Sequence, residues 1–320
     1  MGALAALLVA GFAVAAWLLP VRIDFADETA RQALWRIRVP SYGMAAAVGG
    51  GLALAGLVFQ VLVHNPLASP YILGISAGGS LGAVLAIYLG LEVQLCGVIS
   101  NLPVFALVGC LGAIWIVFSL ARRGGRTARG TLLLAGVVVN ASLTAIILFV
   151  IYRAEQQQTL RIVRWLMGGI AEPVSAVELT TAAAVVLALG AVLLCAGGRL
   201  NVLTLPDDEA AALGVDVERT RTGLFLAAAL LTAAAVSFTG PIGFVGLIVP
   251  HILRLLLGTD HRLLVPASVL GGGLFLVLAE GAAHTIGYPE RMPVGILTAL
   301  AGGPFFLVLL RRRLVGAYFD

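Results

Sequence analysis

Residues 42–63 read Tyr42-Gly-Met-Ala-Ala-Ala-Val-Gly-Gly-Gly-Leu-Ala-Leu-Ala-Gly-Leu-Val-Phe-Gln-Val-Leu-Val63, and after His64 the chain continues Asn65-Pro-Leu-Ala-Ser-Pro-Tyr-Ile-Leu-Gly-Ile-Ser76. The first stretch carries no charge. A helix rises about 1.5 Å per residue and needs about 20 apolar residues to cross about 30 Å of hydrocarbon, so this run is long enough to span a bilayer. The second stretch is a Pro/Gly break that leads straight into another apolar run. Similar runs recur at 2–19, 75–89, 97–120, 131–152, 177–196, 223–238, 244–258, 263–283 and 294–310, which with 42–63 makes about ten transmembrane helices. The expected class is an all-α polytopic membrane protein, residues 1–320 forming a single transmembrane domain.

Composition supports lipid as the solvent. Sixty per cent of the 320 residues are hydrophobic and 11% are charged, against roughly half and about a quarter in soluble domains. Too few charges exist to coat a water-soluble core of this size. Residues 2–19 lack the positive start of a cleaved leader and read as an uncleaved first span. Cys96, Cys110 and Cys195 lie at or within apolar runs without pairing or metal-ligand spacing. No cofactor or metal is expected, and nothing points to nucleic acid.

All twenty cationic residues are arginine. A Walker-type phosphate loop needs its lysine to reach the β/γ-phosphates, so any ATP-derived energy has to come from another chain. The arginines are unevenly distributed. Arg122, Arg123, Arg126 and Arg129 fall in one connection, Arg199, Arg219 and Arg221 in another, Arg262 in a third and Arg311 to Arg313 in the tail. With ten spans these share a side, which the positive-inside rule makes cytoplasmic, with both termini on it.

A second Pro/Gly break, Gly240-Pro-Ile-Gly-Phe-Val-Gly-Leu-Ile-Val-Pro-His251, repeats the layout of the first. Paired interrupted spans are the signature of an inverted repeat, here helices 2–5 and 7–10 with the sixth between them. Gly49-Gly-Gly51, Gly56 and Gly271-Gly-Gly273 offer surfaces on which helix backbones can approach closely. The longest polar interruption runs from about 199 to 221. Pro206 and Asp207 suit a helix start, Asp208 and Glu209 complement its positive end, and Gly214 stops it. Local features leave two readings of this short helix open: a docking element for another chain, or a solvated cap on the sixth span.

Several segments together resemble the FecCD family, the permeases of type II ABC importers for ferric siderophores, haem and cobalamin. They are Ile37-Arg-Val-Pro, Gln60 through Gly78, Leu132-Leu-Leu-Ala-Gly-Val, Asp208-Glu-Ala-Ala-Ala-Leu-Gly-Val, the Gly240 segment, and Met292-Pro-Val-Gly-Ile-Leu-Thr-Ala-Leu-Ala-Gly-Gly-Pro-Phe-Phe. They lie in order from about Ile37 to Leu310. The resemblance implies a ten-helix permease in a bacterial plasma membrane, paired with an identical or paralogous permease, two ATPase subunits below, and an extracytoplasmic binding protein delivering a metal chelate. A ferric siderophore is the first expectation, with haem or cobalamin as the alternative. It assigns ATPase coupling to Asp208, Glu209, Ala210, Ala211, Leu213, Gly214 and Val215. It places a gate at Asn65 and Leu67 and a second at Arg129 and Gly130, and puts binding-protein docking at Arg38. His284 and Ser41 stand where arginines occur in the family, and Arg36 and Arg291 are candidates to restore the positive surface.

Two other classes lack the residues they need. An ion-coupled carrier usually needs mid-membrane carboxylates, and the apolar runs hold almost none. An intramembrane enzyme needs clustered acids, a Ser/His pair or metal ligands, and the adjacent Asp207 and Asp208 lie in a polar connection. Glu280, near one end of the ninth span, can pair with His284 at i+4. His251 and Arg254 read as packing and interhelical hydrogen bonding.

Overall fold

A computed structural model describes residues 28, 32, 34–66, 68–91, 94–95, 99–123, 126–127, 129–286 and 290–316. The expected first span and Leu67 lie outside these residues. A π-helical turn (Leu34–Arg38) leads into α1 (Val39–Val63), followed by α2 (Ile75–Tyr88), α3 (Leu102–Ala121), α4 (Arg129–Arg153) and α5 (Gln156–Leu166). Then come α6 (Ala176–Cys195), two short helices α7 (Gly197–Val202) and α8 (Asp207–Ala212), α9 (Val217–Thr239), α10 (Val245–Leu257), α11 (His261–Ile286) and α12 (Val294–Gly316). Two-residue hairpin ladders, Gln94–Leu95 with Ile99–Ser100 and Arg122–Arg123 with Arg126–Thr127, fasten two of the connections. The molecule is an all-α bundle.

Six described helices, α1, α3, α4, α6, α9 and α11, are long and apolar enough to cross a membrane, and α2, α10 and α12 are shorter apolar helices. Together with the undescribed first run they account for the ten runs in the sequence. The helices extend past the apolar runs wherever a polar cap is available. α9 begins at Val217 because the Asp216 carboxylate accepts from the Arg219 amide at 3.1 Å. α5 is absent from the list of runs because it is too polar to span; a reciprocal capping box between Glu155 and Gln158 starts it.

α1 is the axis of the bundle: 89% of its most apolar window is buried, against 17% for α6. It packs on α11, α9, α10 and α6. Association inside lipid depends on close packing rather than on escape from water, and the glycines make that packing possible. A Cβ added at Gly49 would sit 2.6 Å from the Leu276 Cβ, one at Gly50 would meet the Val269 carbonyl at 2.8 Å, and one at Gly272 would meet the Ala53 Cβ at 2.5 Å. Gly246 on α10 is held equally close to α1, its added Cβ falling 2.6 Å from the Leu52 carbonyl. The outer surface is apolar, with Trp115, Leu134, Phe149, Leu187 and Leu307 all largely exposed, as expected of side chains that face acyl chains.

The two sets α1–α4 and α9–α12 share a packing plan. In each, the second helix packs on the third and fourth, and the third on the fourth. The short second helix follows a break whose last residue is left-handed: Gly74 (φ 75°) before α2 and Phe244 (φ 67°) before α10. A left-handed non-glycine residue costs about 1–2 kcal/mol, and the Phe244 ring lies against Gly302 on α12. A side chain at 302 would occupy the place of that ring.

Candidate functional site

The breaks meet inside the bundle. α2 is about 21 Å long, from its 14 residues at 1.5 Å each, so the turns that precede it have to cover part of the depth. They do so as consecutive hydrogen-bonded turns, Ala68 N to Asn65 O at 3.0 Å and Ile72 N to Ser69 O at 3.2 Å, with Pro66 and Pro70 limiting their freedom. The turn is wedged against α4: an added Cβ at Gly136 would lie 2.7 Å from the Ile72 carbonyl. Tyr71 of this break and Pro241, Gly243 and Phe244 of the other line one cleft of about 420 Å³ with Met167 and Ile296. Backbone freed from helical pairing at membrane depth is tolerated where it is covered by protein or lines a cavity. Asn65, a proposed gate residue, opens this turn. The second gate pair, Arg129 and Gly130, starts α4, and the first break touches α4 two turns further on, at Gly136. That contact residue sits inside the Leu132-Leu-Leu-Ala-Gly motif.

At the end of the bundle where α1 begins, the structure gathers charges that the sequence leaves far apart. Arg38, Ser41, Glu172, Glu280, His284 and Arg291 come from the start of α1, the α5–α6 connection, the end of α11 and the approach to α12. Glu172 is the hub. It accepts from the Ser41 hydroxyl at 2.7 Å and lies 3.3 Å from Arg291, 3.7 Å from Arg38 and 3.6 Å from His284 Nε2. Glu280, 1% exposed, pairs with Arg291 and with His284 at 3.2 Å, the i+4 contact expected from the sequence. Arg38 Nη1 also approaches His284 Nε2 at 2.8 Å. Two arginines thus balance two carboxylates around an imidazole. The carboxylate and imidazole atoms are close enough to share a metal ion, but the guanidinium groups already supply the positive charge such an ion would bring. Arg36, two residues before Arg38, is exposed.

Burial acts against ionisation of Glu172, but the hydrogen bond with His284, the Arg291 charge, the Ser41 hydroxyl and the Arg38 charge outweigh it and bring its pKa down to about 2. A depressed carboxylate contributes stability that is complete above its unfolded pKa of about 4.3 and is lost as pH falls toward the folded value. The stability difference between the protein and Glu172→Gln should therefore shrink progressively as pH falls from about 4.3 toward about 2. Thermal unfolding midpoints of the two proteins across that range measure it.

At the opposite end, α8 stands out from the bundle. Asp207 holds Arg221 at 2.7 Å, and Glu218 approaches the same guanidinium at 3.6 Å, which fixes α8 to the first turns of α9. Ala210 of α8 is fully buried. Asp208, Glu209, Ala211, Ala212 and Gly214 are exposed, Val215 is half-buried, and Leu213 is 63% exposed. The turn closes at Gly214 (φ 81°), whose amide donates to the Ala211 carbonyl at 2.9 Å. Between the ends of α1, α7, α10 and the start of α11 opens a cleft of about 740 Å³ lined by Gln60, His64, Asn201, Arg254, Asp260 and His261. Arg254 donates to Gln60 Oε1 at 2.9 Å across α10 and α1, and the His251 ring packs edge-on to Phe305. Both fill the packing and interhelical bonding roles read from the sequence. Asp260 has a lowered pKa because the Asn201 amide donates to its carboxylate at 2.7 Å.

The model of the FecCD transport family matches residues 3–312. The chain belongs to that family. The cobalamin import system permease protein BtuC of Halobacterium salinarum is 44% identical over 290 residues, 91% of this chain and 76% of that protein. The hemin transport system permease protein HmuU of Yersinia pestis is 39% identical over 292 residues, 90% and 86% of the two chains. A solved structure of a metal-chelate type ABC transporter in an inward-facing conformation superposes with a TM-score of 0.86 at 31% identity, covering 97% of this chain and 98% of that one. The FecCD fold is therefore that of a type II ABC importer permease, and the chain is a polytopic membrane protein.

Three functional features escaped the sequence reading: Glu172, α5 and the Gly136 contact. Glu172 is one acid in a connection far from all its partners, and no spacing rule links them. The Glu155/Gln158 pair was the available signal for α5.

Proposed function

We propose that this FecCD chain is the membrane-spanning subunit of an ATP-driven importer, providing a passage for a metal chelate and carrying out no chemistry itself. The observation that supports this most is α8. It is a rigidly held helix, acidic in its first turn and followed by an exposed leucine, at the end of the bundle where the arginine-rich connections lie. That end is the cytoplasmic one in this reading, α8 docks on an ATPase subunit, and two permeases and two ATPases assemble. The Arg38 end faces outward and receives the binding protein through Arg38, Arg291, Arg36 and His284. The cleft where the two breaks meet, with the Asn65 and α4 segments, belongs to the passage.

The topology has a direct check. A cysteine at Ala211 should react with a membrane-impermeant maleimide in inverted vesicles and not in intact cells. Labelling in intact cells would contradict the orientation. On cargo, the ferric siderophore comes first from the family as a whole, while the cobalamin and hemin permeases above give weight to a tetrapyrrole. Spectra of the binding protein purified with its natural ligand separate the two: a Soret or corrinoid band supports the tetrapyrrole, and an iron-chelate charge-transfer band supports the siderophore.

A further inference from the structure

Glu172 occupies the position an incoming carboxylate would take. It sits between Arg38 and Arg291, whose side chains are 29% and 25% exposed while its own is 17% exposed, so the guanidinium groups reach the surface with an internal acid between them. The chain that carries Glu172 also walls the cleft. Leu166 and Met167 line it, the Gly168 carbonyl accepts from the Gly295 amide at 3.0 Å, and the Gly169 amide donates to the Thr239 carbonyl at 2.8 Å. Four residues, 168–171, therefore join the cleft wall at Met167 to the arginine pair at Glu172.

We propose that Glu172 is a stand-in ligand, and that an acidic side chain of the docking partner replaces it between Arg38 and Arg291. This inference rests on the docking reading given above. The exchange swaps one carboxylate for another, so the arginines never lose their counter-charge, and docking need not expose an uncompensated Glu280 behind them. The buried Glu280–His284–Arg291 contacts keep the receiving arginine in place while Glu172 leaves. Once released, Glu172 no longer anchors the 167–172 strap, and partner docking is transmitted to the wall of the cleft. Ser41 takes part because its hydroxyl holds the stand-in; an arginine at this position would instead add a third cation.

The test uses the permease–ATPase complex in lipid nanodiscs and the binding protein of the same transport system. Glu172→Gln should tighten docking about tenfold and steepen its salt dependence, because the arginines are left without their internal partner. Glu172→Asp should stay within about twofold of the original, and Ser41→Ala should tighten docking by a smaller factor of about two to three. Arg38→Glu should weaken docking at least tenfold. In a background with Cys96, Cys110 and Cys195 replaced, a cysteine at Met167 should be modified several-fold faster when Glu172→Gln is added or when the binding protein is docked. Unchanged or weaker docking by both Glu172→Gln and Ser41→Ala, with Arg38→Glu still disruptive, overturns the exchange and leaves the docking surface standing. Indifference to Arg38→Glu removes the docking surface itself.

Discussion

Gly272→Leu should leave no assembled permease in the membrane. α1 and α11 cross backbone against backbone at Gly49 and Gly272: a single Cβ on Gly272 would lie 2.9 Å from the Gly49 carbonyl carbon and 2.5 Å from the Ala53 Cβ, and one on Gly49 would be held as tightly against Gly272 and Leu276. Adding atoms to a packed core costs about 1–3 kcal/mol even where neighbours can adjust. Here the obstacle is backbone on the most buried helix of the bundle, which has no room to move. Alanine should already lower the thermal midpoint, and leucine should abolish the monodisperse peak of the detergent-solubilised protein. Gly112→Leu provides the contrast, since an added Cβ on that α3 glycine meets nothing within 4 Å. Its peak should be unchanged.

The second large effect is expected at α8. Leu213→Asp should leave the permease folded and in normal amount while cutting uptake at least tenfold, ~1.4 kcal/mol of lost docking. Leu213 contributes little to the fold, being 63% exposed, and an exposed apolar side chain on a rigid helix is the kind of group that anchors an interface. Gly214→Val should act in the same direction by a different route. Open space surrounds Gly214, so crowding is not the issue; φ of 81° is a conformation a β-branched residue adopts only under strain. The turn that presents Leu213 would be deformed. Co-purification of the ATPase subunit with each variant measures the effect. Full retention with both would remove α8 from the interface.

These two predictions come from features that differ in how far the sequence discloses them. The glycine clusters and α8 were legible because their causes are local: small residues at helical spacing, a Pro/Asp start, a Gly stop. The spans were legible because hydropathy in lipid is a property of a run, and even the helix breaks declared themselves through Pro and Gly. The charge cluster at the Arg38 end was half legible. Glu280 and His284 are an i+4 pair on one helix, so their contact at 3.2 Å follows from helical geometry. Glu172 joins Arg38, Ser41 and Arg291 only through the tertiary fold, 131 residues from Ser41, and no periodicity carries that information. For the same reason the sequence offers Arg38 and Arg291 as docking residues with no internal carboxylate beside them, and gives His284 only Glu280. The structure shows them already holding internal carboxylates, which changes what a docking partner has to do.

The same distinction applies to the gate residues. Asn65 and the turn after it were recognisable as a stiff break, whereas the contact of that turn with Gly136 on α4 is set by the tertiary fold. A pathway that alternates between two openings would change such contacts.

The measurement that bears most directly on the account is chelate uptake into sealed vesicles reconstituted with the permease, its ATPase and the binding protein. Accumulation against a gradient that requires ATP on the α8 side, persists when ionophores collapse ion gradients, and vanishes when the ATPase is omitted is the predicted result. Uphill movement by the permease alone, or movement driven by an ion gradient, would contradict it.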